Sequence, residues 1–360
     1  VNSFVTRPSR KLVGYVLLAT LVACETPDQV DHDLAPVRLE PVAEFGCVDC
    51  TGPELFGAVV SISASPDGMV AVVTPESPHL RLLGPGPGVA RELAPTGDGP
   101  GEVRTPITVA VLADGSTLLA GQATDRFDAV GAHVRRTSSM DSSLYRTLQL
   151  VTSPSATHLL SVQKSTLPGG SGRLVLLDGV GREVESVMTV PEEVWLTDDS
   201  PRLVILVAHA VSDDGRVAIG IGGQEEYKIL VVDDSAHVVA RARRDIPRPL
   251  RSSREVEDLE RRISAVTGRA SPGIPLERPH FAPHAFRFDA GGRLWVFTFR
   301  GTEGTTVFDV FGHDLDYLGE VIVDQRVEAF HISGDFLAAS TLGESDLPGV
   351  TVWRIEGQRE

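Results

Sequence analysis

One phrase recurs along this chain and restricts its fold more than any other feature. It is first written as "VSISASPDGMVAVV" at residues 60–73: apolar and polar positions alternate, a turn falls at Asp67-Gly68, and alternation resumes. Period-two alternation sends successive side chains to opposite faces of a strand, and glycine accepts the positive φ that a tight reversal demands. The phrase returns as "ITVAVLADGSTLLAG" (107–121), "HAVSDDGRVAIGIG" (209–222) and "AFRFDAGGRLWVFTF" (285–299). Degenerate copies are "EAFHISGDFLAAS" (328–340) and "QLVTSPSATHLLSV" (149–162), which makes six. A third strand, a turn and a fourth strand follow most copies, as in "YKILVVDDSAHVVAR" (227–241) and "TTVFDVFGHDLDYLGEV" (305–321). Four short antiparallel strands per unit, at roughly 40–60 residues, is the arithmetic of a propeller blade. A lone blade exposes two apolar faces. Only a closed ring of blades buries both.

The two ends of the chain carry the trace of that closure. The last copy has strand signals near Val327–Ser333, Phe336–Leu342 and Val350–Ile355, three in all, while "VRLEPVAEFG" at residues 37–46 is a spare strand at the other end. Adding it to the last blade pairs an otherwise open edge and ties the termini together. The sequence therefore predicts an all-β fold over residues 37–357. The architecture is a six-bladed β-propeller of four-stranded antiparallel blades, the last completed by the N-terminal strand. Length alone would suggest about two domains; the repeat argues for one.

One segment breaks the rhythm. In "SSREVEDLERRISAVTG" (252–268), Val256, Leu259, Ile263 and Val266 fall on one stripe, as an amphipathic helix requires. Ser252 and Glu255 form a capping box, and Gly268 can end the helix. The helix is an insertion between the fourth and fifth copies. It is expected either to pack its stripe on a propeller face as a lid, or to act as a gate or docking helix over the channel mouth.

The stretch "TGDGPGEVRTPITVAVLADGSTLLAG" (96–121) resembles the signature of bacterial six-bladed β-propeller lipoproteins related to the NHL-repeat group. In that group a Gly-x-Gly-Pro-Gly-Glu turn commonly leads from one blade to the next, usually followed by phenylalanine, where this chain has Val103. The helix inserted before "GRLWV" (292–296) is similar too, and the likeness covers most of residues 37–357, weakly at the third and sixth blades. It implies the propeller fold and an exported, lipid-anchored location, and it assigns no activity. "GDGPGE" lacks the lysine of a phosphate-binding loop and precedes a strand, so its glycines read as a tight interblade turn.

The N-terminus reads as an address. Arg7, Arg10 and Lys11 precede an apolar run from Leu12 to Ala23, 12 residues long. That is too short for a hydrocarbon core of ~30 Å, which takes roughly 20 helical residues, and it fits a signal peptide over residues 1–23. Leu21-Val22-Ala23-Cys24 resembles the bacterial lipobox, which makes Cys24 the lipidated first residue of the mature chain; an ordinary signal peptide or an uncleaved anchor is the alternative. Residues 24–36, with Glu25, Asp28, Asp31, Asp33, Pro27 and Pro36, read as an acidic flexible tether. Loss of residues 1–23 removes three positive charges and takes the net charge from −16 to −19. Such a body is repelled by phosphate backbones and anionic headgroups, so no nucleic-acid partner is expected, and the N-terminal lipid would hold the protein to the membrane.

Two further cysteines stand in "FGCVDCTG". In an exported chain a Cys47–Cys50 disulfide is the default, with redox activity or metal binding as alternatives. Thr51 occupies the place of a haem-attachment histidine, and no second CxxC completes a zinc site.

No catalytic set stands out. His280 and His284 are four apart, but Pro279 and Pro283 rule against a continuous helical pair, and His209, His237, His313 and His331 are scattered over strands and turns. The acidic pairs Asp198-Asp199, Asp213-Asp214, Glu225-Glu226 and Asp233-Asp234 match no EF-hand and read as turn chemistry. "PGGSGRL" (168–174) comes nearest to a nucleophile elbow and reads as an interstrand loop. No catalytic, cofactor or metal residue is nominated. The expectation is a lipid-anchored binding or interaction scaffold of the periplasm or outer surface, its partner an envelope protein, peptide or carbohydrate. The alternative is a lactonase-like hydrolase or lyase using calcium or another divalent ion in the central channel.

Overall fold

The six copies fold into six four-stranded antiparallel sheets. The computed structural model describes residues 37–46, 55–84, 90–121, 123–138, 145–165, 172–178, 183–188, 207–221, 226–235, 237–267, 273–302, 304–342 and 347–357. Cys24 with the signal and tether segments, the Cys47–Cys50 pair, Asp198-Asp199, Glu225 and Gly268 lie outside the described residues, as does residue 168–171 of the glycine-rich loop.

Strand β1 (Arg38–Phe45) comes first in the chain, and the blades follow. Blade 1 is β2 (Ser61–Ala64), β3 (Val70–Val73), β4 (Leu80–Leu83) and β5 (Ala90–Leu93). Blade 2 is β6 (Thr108–Val111), β7 (Thr117–Ala120), β8 (Ala123–Phe127) and β9 (His133–Ser138). Blade 3 is β10 (Tyr145–Thr152), β11 (His158–Ser165), β12 (Gly172–Asp178) and β13 (Glu183–Met188). Blade 4 is β14 (Val207–Val211), β15 (Val217–Ile221), β16 (Tyr227–Val232) and β17 (Val238–Arg244). Blade 5 is β18 (Phe281–Phe288), β19 (Leu294–Thr298), β20 (Thr306–Phe311) and β21 (Tyr317–Val323). Blade 6 takes β22 (Arg326–Ser333), β23 (Phe336–Leu342) and β24 (Pro348–Glu356), and β1 is its outermost strand.

Closure is as the spare strand foretold. β1 pairs antiparallel with β24 from Arg38↔Glu356 to Phe45↔Val350, with a bulge between Pro41 and Ala43. Pro41 has no N–H to give, and an outermost strand is where a sheet tolerates it. The innermost strand of each blade packs on that of the next, and β2 packs on β22, so the ring is shut.

The apolar core lies in the seams between blades. Ala71, Val73, Val109 and Leu119 join blades 1 and 2. Ala110, Leu118, Leu150 and Leu159 join blades 2 and 3. Val151, Leu160, Ile219 and Leu230 join blades 3 and 4. Tyr227, Phe281, Phe286, Trp295, Phe308 and Phe330 fill the seams from blade 4 to blade 6. Phe45, Ile62, Val70, Ala338 and Val350 complete the circle. This is why the inner strands are buried on both faces, whereas the outermost strand β17 alternates between half-buried and exposed and β5 is exposed at both central residues.

The inner hairpins differ from the sequence reading in one respect. The turn is not two residues long: Ser65 N–H donates to Met69 O (2.8 Å) and Gly68 N–H to Ser65 O (3.0 Å), so Pro66, Asp67 and Gly68 form a three-residue loop. Gly68, with φ 86°, supplies the left-handed position that ends it. Blade 6 alone has the tighter form, with Ser333 paired directly to Phe336.

The insertion folds as helix α1 (Ser253–Thr267). Its capping box forms: Ser252 N–H donates to Glu255 Oε2 (2.9 Å) and Glu255 N–H to Ser252 Oγ (3.3 Å). Glu255 is also ion-paired with Arg278. A short bridge between Leu250 and Glu277 joins the segments that enter and leave the insertion. Of the stripe, Val256 is half-buried and Leu259 is 37% exposed, and the side chains of Ile263 and Val266 lie outside those described.

Candidate functional site

The inner strands surround a channel, and their sequence decides what faces it. In β18 the pairing jumps from Phe281↔Thr298 to Phe286↔Val296, so four residues, Ala282 to Ala285, stand against Phe297 alone. Pro283 cannot donate to the ladder, which accounts for the bulge. The bulge delivers His284 to a pocket lined by Ser61, Thr108, Gln149, Arg287 and Phe330 among others.

Hydroxyls stitch neighbouring inner strands around this pocket. Val109 N–H donates to Ser61 Oγ (3.4 Å), Val111 N–H to Ser63 Oγ (3.1 Å) and Leu150 N–H to Thr108 Oγ1 (3.2 Å). His331 does the same between blades 6 and 1, its Nδ1 accepting from Ala64 N–H (3.2 Å). Burial and the Arg287 charge hold the His331 pKa well below the usual imidazole range, so the ring is neutral. With Nδ1 accepting, the proton sits on Nε2, which donates to Thr152 Oγ1 (2.9 Å) in blade 3.

Blades 3 and 6 stand opposite one another, so His331 spans the axis. Two more bonds do so at the end of β22, where Ser333 Oγ–H and Gly334 N–H both donate to Pro154 O at 2.8 Å. Gly334 is wedged there: a Cβ would come within 2.9 Å of Pro66 O. The channel is therefore blind at the inner-hairpin end. α1 belongs to a connection from an outermost strand to the next innermost one, which returns at the opposite end.

Arg287 is the feature that sequence reasoning missed. It is 5% exposed, and its Nη1 donates to Phe286 O at 2.6 Å. Its Nε has no acceptor, and its guanidinium lies over the Phe330 ring at 5.4 Å. Burial pulls its pKa down to about 10, so it is still a cation at neutral pH. His284 is open to channel solvent yet walled by protein; that enclosure and the Arg287 charge push its pKa down to about 4. A signal did exist in the sequence. Counted back from the turn, Arg287 occupies the place of Ser63, Ala110, Val151 and Ala210 in the earlier copies, all small or apolar.

Two arginine clusters are neutralised by buried aspartates. Asp309, 0% exposed, takes Arg244 Nη1 (2.7 Å), Arg300 and the Tyr227 hydroxyl (2.7 Å), clasping blade 4 to blade 5. Burial and the Asp309 charge push Tyr317, at the same cluster, up to about 12. Asp125 holds His133 (2.9 Å) and Arg136 (3.0 Å), and Arg136 donates onward to Asp98 O (2.9 Å). That ties down the "GDGPGE" turn, where the Glu102 carboxylate accepts from Gly99 N–H (2.9 Å).

The remaining histidines do not converge with this pocket. His280 is buried edge-on to Tyr227 at 5.6 Å, His209 is buried in β14, and His237 and His313 are exposed in turns. The acidic pairs serve turns: Asp213 accepts from Ser155 N–H (2.9 Å), Asp214 from Arg216 Nε (2.8 Å) and Asp233 from His237 N–H (2.8 Å). Glu226 pairs with Arg243 at 2.9 Å. Among the described residues, no three His, Cys, Asp or Glu side chains are grouped as metal ligands would be. No helix among them is long and apolar enough to cross a membrane.

Six closed blades around a blind channel define the molecule as an all-β six-bladed propeller. No protein-family model matches the chain, and no curated protein does. Among solved structures it is similar to the crystal structure of BamB from Moraxella catarrhalis. That pair is 12% identical over 92% of this chain and 97% of the other, with a TM-score of 0.41.

Proposed function

We propose that this protein is a lipid-anchored propeller of the bacterial cell envelope that acts as a protein-interaction scaffold, related to the NHL-repeat lipoproteins its sequence resembles. The lipobox-like Leu21-Val22-Ala23-Cys24 and the acidic tether support the location. The observation that carries the role is a set of exposed leucines on the insertion. Leu250 is 69% exposed and Leu276 62%, at the paired segments that enter and leave the insertion, and Leu259 on the helix is 37% exposed. Single exposed leucines are ordinary, but three on one insertion are side chains of the kind that an interaction surface offers a partner. The divalent-ion hydrolase has no such support, because the channel pocket carries a cation and no carboxylate among its described lining residues.

Mature protein used as bait on detergent-solubilised envelope is expected to retain a defined protein. Leu250→Ser, Leu259→Ser and Leu276→Ser combined should abolish retention without altering the melting temperature. Equal retention by the triple variant, or turnover of lactones restored by calcium, would overturn the scaffold reading.

A further inference from the structure

Arg287 is a buried charge without a counter-charge. No carboxylate pairs with it among the described residues, whereas Arg244, Arg300, Arg293 and Arg136 are each given a buried aspartate. The chain has carboxylates to spare, with 49 Asp and Glu residues. Burying a guanidinium unpaired is costly, and a protein retains one where something else brings the negative charge.

The surroundings supply neutral donors. Gln149 is buried, and its Nε2 has no partner. Ser61 Oγ and Thr108 Oγ1 already accept backbone N–H groups, and their mutual distance of 3.5 Å takes up at most one of their two protons. His284 is neutral and stands at the same pocket. With the channel shut by Pro154, Ser333 and Gly334, an occupant enters and leaves by the other end.

We propose that the blind end of the channel is an anion site for a carboxylate, with Arg287 supplying the charge and Gln149, Ser61 and Thr108 the neutral hydrogen bonds. The planar guanidinium fork matches a planar carboxylate better than a spherical halide. Phe330 beneath the guanidinium holds that plane in place.

The test is titration of the full mature chain with sodium acetate, formate and chloride in otherwise anion-poor buffer, read by calorimetry and by melting temperature. Acetate and formate should bind saturably and raise the melting temperature, with chloride at least about tenfold weaker. Arg287→Met should weaken acetate about tenfold or more, the worth of one charge-assisted bond. It should also melt no lower than the wild type in the absence of anion. A second readout needs no variant: acetate should raise the pKa of the His284 imidazole, followed by NMR, because it cancels the neighbouring positive charge. An unmoved His284 or no saturable response overturns the site. Chloride binding as tightly as acetate overturns the carboxylate assignment.

Discussion

Ala156 holds φ at 56° at the place where four of the other inner hairpins put glycine, Gly68, Gly115, Gly215 and Gly292. Its N–H still donates to Ser153 O (2.8 Å), in a loop one residue longer that closes from Ser153 N–H to His158 O (2.9 Å), and the strain is carried by one β-carbon. Ala156→Gly is expected to stabilise the fold by about 0.5–1 kcal/mol, the relief exceeding glycine's extra freedom in the unfolded chain. Urea denaturation checks this; a loss of stability would mean the alanine methyl contributes more than its backbone costs. Leu315, at φ 65°, sits in another left-handed position but is packed into the seam beside blade 5, so glycine there would lose more than it relieves. The third copy reads as degenerate in sequence for this reason: the turn survives without its usual residue. Arg287 shows the converse. Its residue type and repeat place were visible, but the absence of a carboxylate beside it among the described residues depends on strands far apart in the chain.

At the scale of elements, inner hairpins carry the repeat, and polar clasps hold neighbours in register. Asp309 on β20 binds groups from β16, β17, β21 and the Arg300 turn, joining two blades through one carboxylate. Asp309→Asn leaves the two arginines without their shared charge, and a loss of about 3–5 kcal/mol is expected. Thermal unfolding would show a lower midpoint; an unchanged one would mean Glu320 alone can neutralise the pair, since it already meets Arg300 at 2.5 Å. The strands and α1 were legible because alternation, turn glycines and the capping box are local patterns. The bulge that aims His284 was half-legible, as Pro283 marks a strand that cannot pair throughout. The exposure of Leu259 was not, because an amphipathic stripe states that a face is apolar and not what covers it.

For the whole molecule, closure is the decisive event. Each seam is buried by residues from two blades, so an open ring leaves one seam wet and the β24 edge unpaired. Removal of residues 37–46 is expected to raise the oligomeric state through pairing at β24, or to abolish cooperative melting, as measured by light scattering and calorimetry. An unchanged oligomeric state with unchanged melting would show that three strands suffice for the last blade. By itself, the sequence determined the blade count, the strand borrowed from the N-terminus, and the helix and its cap. Each of these is written in short-range periodicity or in residues close together in the chain. Only the tertiary structure decided that the channel is stoppered by blades 3 and 6, that Arg287 is enclosed without a carboxylate among the described residues, and that Asp309 is shared between two blades. Those facts are relations among strands brought together by ring closure, and no local pattern encodes them.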